Sequence, residues 1–311
     1  MIIHHGVDTI PTIKNPVVTT GTFDGVHLGH QKILTYLKDL ARKSEGESVV
    51  ITFWPHPRLI LQPAQNIQSI TDLNEKIALL DKQGIDHLVI LPFTKELANS
   101  SSQTFINDVL ITPLSTSILA IGYDHRFGKN REGSFQYLKE NEHLYPFSIQ
   151  EIPAQDIDEI TVSSTSIREA LNNNDLALAN RLLGHTFSIT GVVKKGDQIG
   201  RTIGYPTANL EVAEKNKLIP PNGAYASKVI IENRIYKGML NIGMRPTVNG
   251  QNKSIEVNIF NFDASIYNQE ITIELYKYIR KETKFTTIHQ LKEQLHQDKQ
   301  SVLNYFEYAR I

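Results

Sequence analysis

The chain has 311 residues, with 32 basic and 33 acidic side chains, a formal net charge of -1 and no cysteine. That length accommodates two domains, each with its own core. The charge balance makes no electrostatic case for nucleic-acid binding, and the lack of cysteine excludes disulfides, thiolate nucleophiles and zinc–sulfur sites while fitting a reducing compartment. The amino terminus shows no charged region followed by a long apolar segment, and no apolar run approaches the roughly 20 residues of a membrane helix, so a cytoplasmic protein with no membrane contact is expected.

An apolar, β-branched stretch at 17–20 leads into G-T-F-D-G-V-H-L-G-H at 21–30, after which Ile33, Leu34, Leu37, Leu40 and Ala41 recur at helical spacing. The pattern predicts a strand, a tight turn and a helix. His27 and His30 then share one face at the helix start, beside its free backbone N–H groups and positive dipole end. Gly29 between them has no Cβ, so a bulky anion can approach the backbone. Two imidazole donors beside a helix N-terminus suit a nucleoside triphosphate attacked at phosphorus. Taken alone the pair also allows a metal pair or ordinary polar surface, although H-x-x-H is not the zincin spacing.

Strand-like runs at 49–53, 88–93, 118–122 and 147–152 alternate with helical patterns at 32–43, 72–83, 103–110 and 134–143, with Thr71 as an N-cap and Gly84 as a C′ residue. That order predicts a mostly parallel sheet with helices on both faces and ligands at the strands' carboxyl ends. Three segments follow predicted strands there. T-F-W-P-H-P at 52–57 brackets His56 between two prolines. The 122–133 loop mixes glycines with Asp124, Arg126 and further cations, but it is not a Walker A loop, since Asn130 stands where Ser or Thr is required. V-S-S-T-S-I-R at 162–168 opens a helix with Ser164, Thr165 and, one turn in, Arg168; a serine N-cap accounts for it equally well.

Two short helical patterns, 164–171 and 176–183, flank the Asn172-Asn173-Asn174-Asp175 cluster and bridge to a different grammar, which places a boundary between 1–184 and 185–311. Short β-rich runs at 187–194, 225–231, 234–242, 254–260 and 270–279 predict an antiparallel barrel or sandwich, closed by a helix over 288–309. In G-R-T-I-G-Y-P-T-A-N-L at 200–210, Gly200, Gly204 and Pro206 fix a tight loop. Beyond it Thr207 and Asn209 offer hard oxygens suited to Mg²⁺ on nucleotide phosphates. Residues 220–225 and 241–247 read as two further rigid loops, and Glu256 alternates with Ile255, Val257 and Ile259, so it leaves one sheet face. A solvated strand glutamate fits that pattern too.

In order, the H-x-G-H, T-F-x-P-H-P, G-x-D-x-x-F-G and S-S-T-x-I-R motifs resemble the adenylyltransferase module of bacterial bifunctional riboflavin kinase/FAD synthetases. The 200–210 motif, P-P-x-G-x-Y-A, N-I-G-x-R-P-T and R-x-E-x-K-F are similar to that family's riboflavin kinase half, so the resemblance spans essentially the whole chain. It implies an α/β protein: an N-terminal Rossmann-like nucleotidyltransferase domain with a mostly parallel sheet, then a C-terminal antiparallel β-barrel with a terminal helix. It also implies a cytoplasmic transferase of flavin cofactor biosynthesis, in which ATP phosphorylates riboflavin to FMN and a second ATP adenylylates FMN to FAD with release of pyrophosphate. ATP is the co-substrate and Mg²⁺ the cofactor. The partners are these small molecules, and the chain is a monomer or weak homo-oligomer.

By the same resemblance His27 and His30 meet the charge developing at phosphorus. Gly21, Phe23, Asp24 and Gly29 bind ATP there with Ser164, Thr165 and Arg168, whose fork suits the outer phosphates. His56, Asp124 and Arg126 place the flavin nucleotide. In the kinase half Gly200, Gly204, Pro206, Thr207 and Asn209 take Mg²⁺-ATP, with Thr207 and Asn209 on the metal. Glu256 is the general base for the ribityl hydroxyl, and Arg280 and Phe285 contact the flavin. The chain departs from the family at Thr22 (usually Asn), His125 (often aromatic), Ser166 (often Arg), Asn258 and Asn261 (more usually His and Asp), and along 263–268, which is less glycine-rich. The alternatives are an enzyme keeping one activity, a flavin- or nucleotide-binding regulator, and another small-molecule nucleotidyltransferase, which leaves the second half without a role.

Overall fold

The computed structural model describes residues 1–308 apart from 66, 123–125, 130–131, 153–155, 158–159, 197–198 and 248–249. Asp124, His125 and the expected helix end at Ala309 lie outside the described residues. The chain divides into two compact units, Met1–Ser163 and Ser164–Ile311.

In the first unit, β1 (Ile2–His5), β2 (Val17–Thr20), β3 (Ser48–Trp54), β4 (His87–Pro92), β5 (Ile118–Gly122) and β6 (Ser148–Ile152) form one sheet in the order β1-β4-β3-β2-β5-β6. Every pairing in it is parallel. Strand residues alternate between two apolar layers: Val17, Val50 and Leu88 pack with Leu34 and Leu37 of α1 (Leu28–Lys43) and Leu80 of α2 (Leu73–Lys82). Val18, Val49, Ile51 and Val89 face the opposite layer with Phe105 and Leu110. A sheet covered on both faces needs continuous apolar strands, and the fully buried run Val17–Thr20 is one. β2 is paired with β3 on one side and β5 on the other, so the strand order reverses there. That reversal opens a crevice at the carboxyl end of β2.

Local differences from the sequence expectation have physical reasons. The N-cap of α2 is Asp72, not Thr71: Asp72 accepts from Glu75 N at 2.8 Å and Glu75 returns the bond to Asp72 N at 3.1 Å. Gly84 does occupy C′, with φ +68°. The helix expected at 103–110 is a short α-turn, Ser102–Phe105, running into a π-helix, Ile106–Ile111, which buries Ile106, Val109 and Leu110 together. The helix expected at 134–143 stops at Glu140 and continues as a 3₁₀ turn, Glu142–Leu144.

The second unit opens with α3 (Ser164–Asn172) and α4 (Leu176–Leu183), separated by Asn174 at φ +61° and capped by Asp175, which accepts from Leu178 N at 3.0 Å. Then β7 (Ser188–Lys194), β8 (Ala208–Glu211), β9 (Gly223–Ile231), β10 (Arg234–Thr247), β11 (Gly250–Ile259) and β12 (Glu270–Arg280) close into a barrel in the order β7-β8-β11-β10-β9-β12. Every barrel pairing is antiparallel. Glu232 and Asn233, at φ +47° and +63°, make the two-residue hairpin between β9 and β10. Residues 241–247, expected as a loop, continue β10 along β11. The terminal helix α5 (Ile288–Tyr308) covers the barrel through Val302, which packs with Ala226, Met239 and Phe260.

Candidate functional site

The crevice at the end of β2 is filled by residues 21–30. The turn is tightly held: Phe23, Gly25 and Val26 have φ of +46°, +84° and +39°, a conformation that a β-branched valine adopts only under strain. Asp24, 1 % exposed, holds it by accepting from Ile70 N at 2.9 Å and Thr71 N at 3.2 Å, while Gly25 N donates to the Thr71 hydroxyl at 3.1 Å. Asp24 therefore braces the loop against the segment preceding α2.

His27 is the N-cap of α1, and its Nδ1 accepts from His30 N at 3.3 Å. An accepting Nδ1 assigns the proton of the neutral ring to Nε2. The His30 ring stacks on it, centroids 3.6 Å apart and planes 14° from parallel, and Phe23 tilts onto His30 from 5.1 Å. A Cβ on Gly29 would stand 3.2 Å from His27 Nδ1, so the bare glycine gives the ring its seat. A Cβ on Gly21 would likewise crowd the Phe23 ring at 3.1 Å.

Burial, then the neighbouring His27 and Lys76, hold the His30 pKa well below the ordinary histidine value, and its buried Nδ1 has no hydrogen-bond partner among the described residues. The stacked pair thus presents a neutral His30. Lys76, which sequence patterning does not single out, is 1 % exposed, with its ammonium 5.3 Å from the Trp54 ring centroid. Burial pulls its pKa down to about 8 against the opposing pull of the Asp24 carboxylate.

The other expected residues of this half stand as follows. His56, buried, caps the short helix Pro57–Leu61 by accepting from Arg58 N at 3.1 Å. Arg126 is exposed on a two-residue strand paired with Gly133–Ser134. The loop containing it is pinned where Lys129 N donates to Ser100 O at 2.8 Å and Glu132 accepts from Ser102 N at 2.8 Å. Ser164, Thr165 and Arg168 occupy the first turns of α3, with Ile167 between them turned into the core.

On the barrel, Thr207, Asn209 and Glu256 come together. Asn209 on β8 stands opposite Glu256 on β11, and Glu256 stands opposite Asn241 on β10. The Thr207 hydroxyl donates to Glu256 Oε2 at 3.3 Å. A Cβ on Gly196 would run into the Asn209 amide, and one on Gly200 into the Tyr205 carbonyl oxygen, so two glycines let the loop fold against these side chains. Gly204, at φ +85°, completes the turn before Pro206. Asn241 and Glu282, which the sequence motifs contain without a role, lie close by: Glu282 Oε2 accepts from Asn222 Nδ2 at 2.9 Å, and its other oxygen lies against Gly243, beside the Asn241 amide.

A cleft of about 380 Å³ adjoins this row, lined by Gly204, Tyr205 and Pro206 on one side, Asn258 to Asp263 on another, and Lys299 of α5. Asn258, one of the departures from the family pattern, ties the two sides together by donating to Pro206 O at 2.6 Å. Arg280 makes a two-pronged pair with buried Asp298, at 2.8 and 2.7 Å, which braces β12 against α5, and its guanidinium lies 5.8 Å from the Phe285 ring centroid. Among the described residues no group of three or more His, Asp or Glu side chains is arranged to hold a metal.

The comparisons with known proteins match the two halves of the chain to different families. The FAD synthetase family model matches residues 10–166 and the riboflavin kinase family model matches residues 183–306. A bifunctional riboflavin kinase/FMN adenylyltransferase of Buchnera aphidicola (subsp. Schizaphis graminum) is 37 % identical over 98 % of this chain and 99 % of its own length. The Bacillus subtilis protein of the same description is 37 % identical over 94 % of this chain and 93 % of its own. A crystal structure from Streptococcus pneumoniae, described as a macrolide-efflux protein, superposes with a TM-score of 0.88 at 30 % identity, covering 98 % and 99 % of the two chains. Among the described residues of the present chain, no helix is long and apolar enough to cross a membrane.

Proposed function

This chain belongs to the bifunctional riboflavin kinase/FMN adenylyltransferase family, converting riboflavin to FMN and FMN to FAD with ATP, and we propose that the histidine pair serves the second step and the Thr207–Glu256 row the first. The observation that carries this reading is that each family half supplies its own assembled polar cluster.

In the first unit, a phosphate oxygen of FMN attacks the α-phosphorus of ATP and the bond to the β-phosphate oxygen breaks, so that pyrophosphate leaves with the electron pair. No covalent intermediate on the protein is needed. Positioning and charge stabilisation supply the rate. His27 Nε2–H donates to the α-phosphate oxygens, supported by the first N–H groups of α1. His30, neutral and stacked beneath it, fixes that ring's orientation and adds a second donor. His56, Asp124 and Arg126 contribute to the flavin side.

In the second unit, Glu256 takes the proton of the ribityl 5′-hydroxyl as that oxygen attacks the γ-phosphorus, and ADP leaves. The Thr207 hydroxyl orients the carboxylate before substrate arrives. Thr207 and Asn209 would hold Mg²⁺, and their hard oxygens fit it; when bound, the ion neutralises the phosphate charge. The cleft between Tyr205 and Phe262 takes the flavin ring. The protein works in the cytoplasm on small molecules.

Incubation of the purified chain with riboflavin, Mg²⁺ and ATP, followed by chromatographic separation of flavins, tests the assignment. Wild type yields FMN and then FAD. A His30 variant should stop at FMN, and a Glu256 variant should make FAD only from supplied FMN. The reverse pattern would exchange the two sites.

A further inference from the structure

Lys76 lies on the inward stripe of α2, in line with Leu73 and Leu80, where an apolar side chain is expected. It is 1 % exposed, with the Asp24 carboxylate as the charge that acts on its ammonium. A buried ammonium is costly to maintain. Asp24, the carboxylate acting on it, is already engaged by Ile70 N, Thr71 N and the Thr71 hydroxyl. Its ammonium also lies 5.3 Å from the Trp54 ring centroid, and its charge acts on the His30 imidazole. Both belong to segments that leave the carboxyl ends of β2 and β3, where the sheet's ligand crevice opens.

His30 does not supply a fixed positive charge, since burial holds it neutral. ATP brings several negative charges, and more accumulates on the leaving pyrophosphate.

We propose that Lys76 is a phosphate-binding residue of the adenylyl-transfer site, the fixed cation that stands behind the histidine pair and pairs with the triphosphate. The proposal rests on the assignment of adenylyl transfer to that pair. Lys76 keeps its proton throughout. The bond from FMN oxygen to the α-phosphorus forms, the bond to pyrophosphate breaks, and the ammonium stabilises the charge that moves onto the leaving oxygens.

The test is Lys76→Met in the full chain, with riboflavin phosphorylation by the same polypeptide as an internal control. FMN adenylylation should fall about 100-fold in kcat/KM, while riboflavin phosphorylation is unchanged. A wild-type readout is independent of how the variant folds. Asp24 and His30 are the ionisable groups coupled to Lys76, and burial pulls the Lys76 pKa down to about 8. Wild-type kcat/KM for adenylylation should therefore decline above about pH 8, and ATP binding at that pH should take up protons, as calorimetry in two buffers reads directly. Trp54 is the chain's single tryptophan, so its fluorescence reports ATP arriving beside Lys76.

A Lys76→Met enzyme with wild-type adenylylation, beside a His30→Ala enzyme that has lost it, overturns the Lys76 proposal and leaves the histidine assignment standing. If both variants adenylylate normally, the assignment fails first. A Lys76→Met enzyme that is impaired yet keeps the alkaline decline shows a purely structural lysine, and ATP binding without proton uptake at pH 8 counts equally against the proposal.

Discussion

Thr207 and Glu256 are 49 positions apart in sequence, yet the hydroxyl of one reaches the carboxylate of the other at 3.3 Å, from the loop before β8 to the middle of β11. The nucleotide loop and the proposed base are thus set against each other before any substrate binds. Preorganisation of this kind avoids reorganising the site during the reaction.

Glu256→Gln removes a proton acceptor while preserving shape. Riboflavin phosphorylation should fall by about 10²- to 10⁴-fold, with FMN adenylylation unaffected. Initial rates with riboflavin and with FMN as separate substrates measure both.

His30→Ala and His27→Ala should each lower adenylylation by about 10²- to 10³-fold, and riboflavin phosphorylation should persist. His27→Ala also removes the N-cap of α1, costing about 1 kcal/mol of stability. The two variants should therefore separate in a denaturant titration although their kinetic losses are similar.

His30 also makes stability depend on pH. Its folded pKa lies below the value of 6.5 that the unfolded chain shows, so the unfolded state binds the extra proton first. Its contribution is fully present above pH 6.5 and is lost as pH falls from there toward the folded pKa, by at most about 1.4 kcal/mol per pH unit. Wild type should lose melting temperature over that window faster than His30→Gln does. Equal slopes in the two proteins would contradict the buried, neutral ring.

Gly200→Ala forces a Cβ onto the Tyr205 carbonyl oxygen, and backbone has to move. A loss of about 1–3 kcal/mol is expected, together with a severe fall in kinase rate. Adenylylation of supplied FMN should survive.

Asp298→Ala strands the Arg280 guanidinium, now paired at 2.8 and 2.7 Å against a nearly buried carboxylate. Breaking such a pair from one side costs roughly 3 kcal/mol or more. Hydrogen exchange should show α5 losing protection ahead of the rest of the barrel.

Much of this was legible in the sequence because the information is local. His27, Gly29 and His30 lie within one strand–turn–helix element, and their spacing alone places the two rings on a shared face. The alternating pattern likewise predicts the parallel sheet and the antiparallel second half. Lys76 escaped because a lysine in an amphipathic pattern reads as solvent-facing, and only the tertiary fold shows which stripe of α2 turns inward. Gly243 and Pro246 made residues 241–247 resemble a loop, but pairing with β11 carries the strand through them. β1 is four residues long and is stabilised by its parallel register with β4, which no local pattern reports. The placement of Asn241 and Glu282 became visible only when closure of the barrel set them beside the Glu256 row.

A closed barrel exposes no unpaired strand margin, whereas the six-stranded sheet ends in β1 and β6. On β1, Ile2 and Ile3 are 56 % and 40 % exposed. Self-association by strand addition, wherever overproduction drives it, will start at that greasy N-terminal border rather than anywhere on the barrel. Charged substitutions at Ile2 or Ile3 are accordingly the place to engineer colloidal tolerance without disturbing either reaction centre.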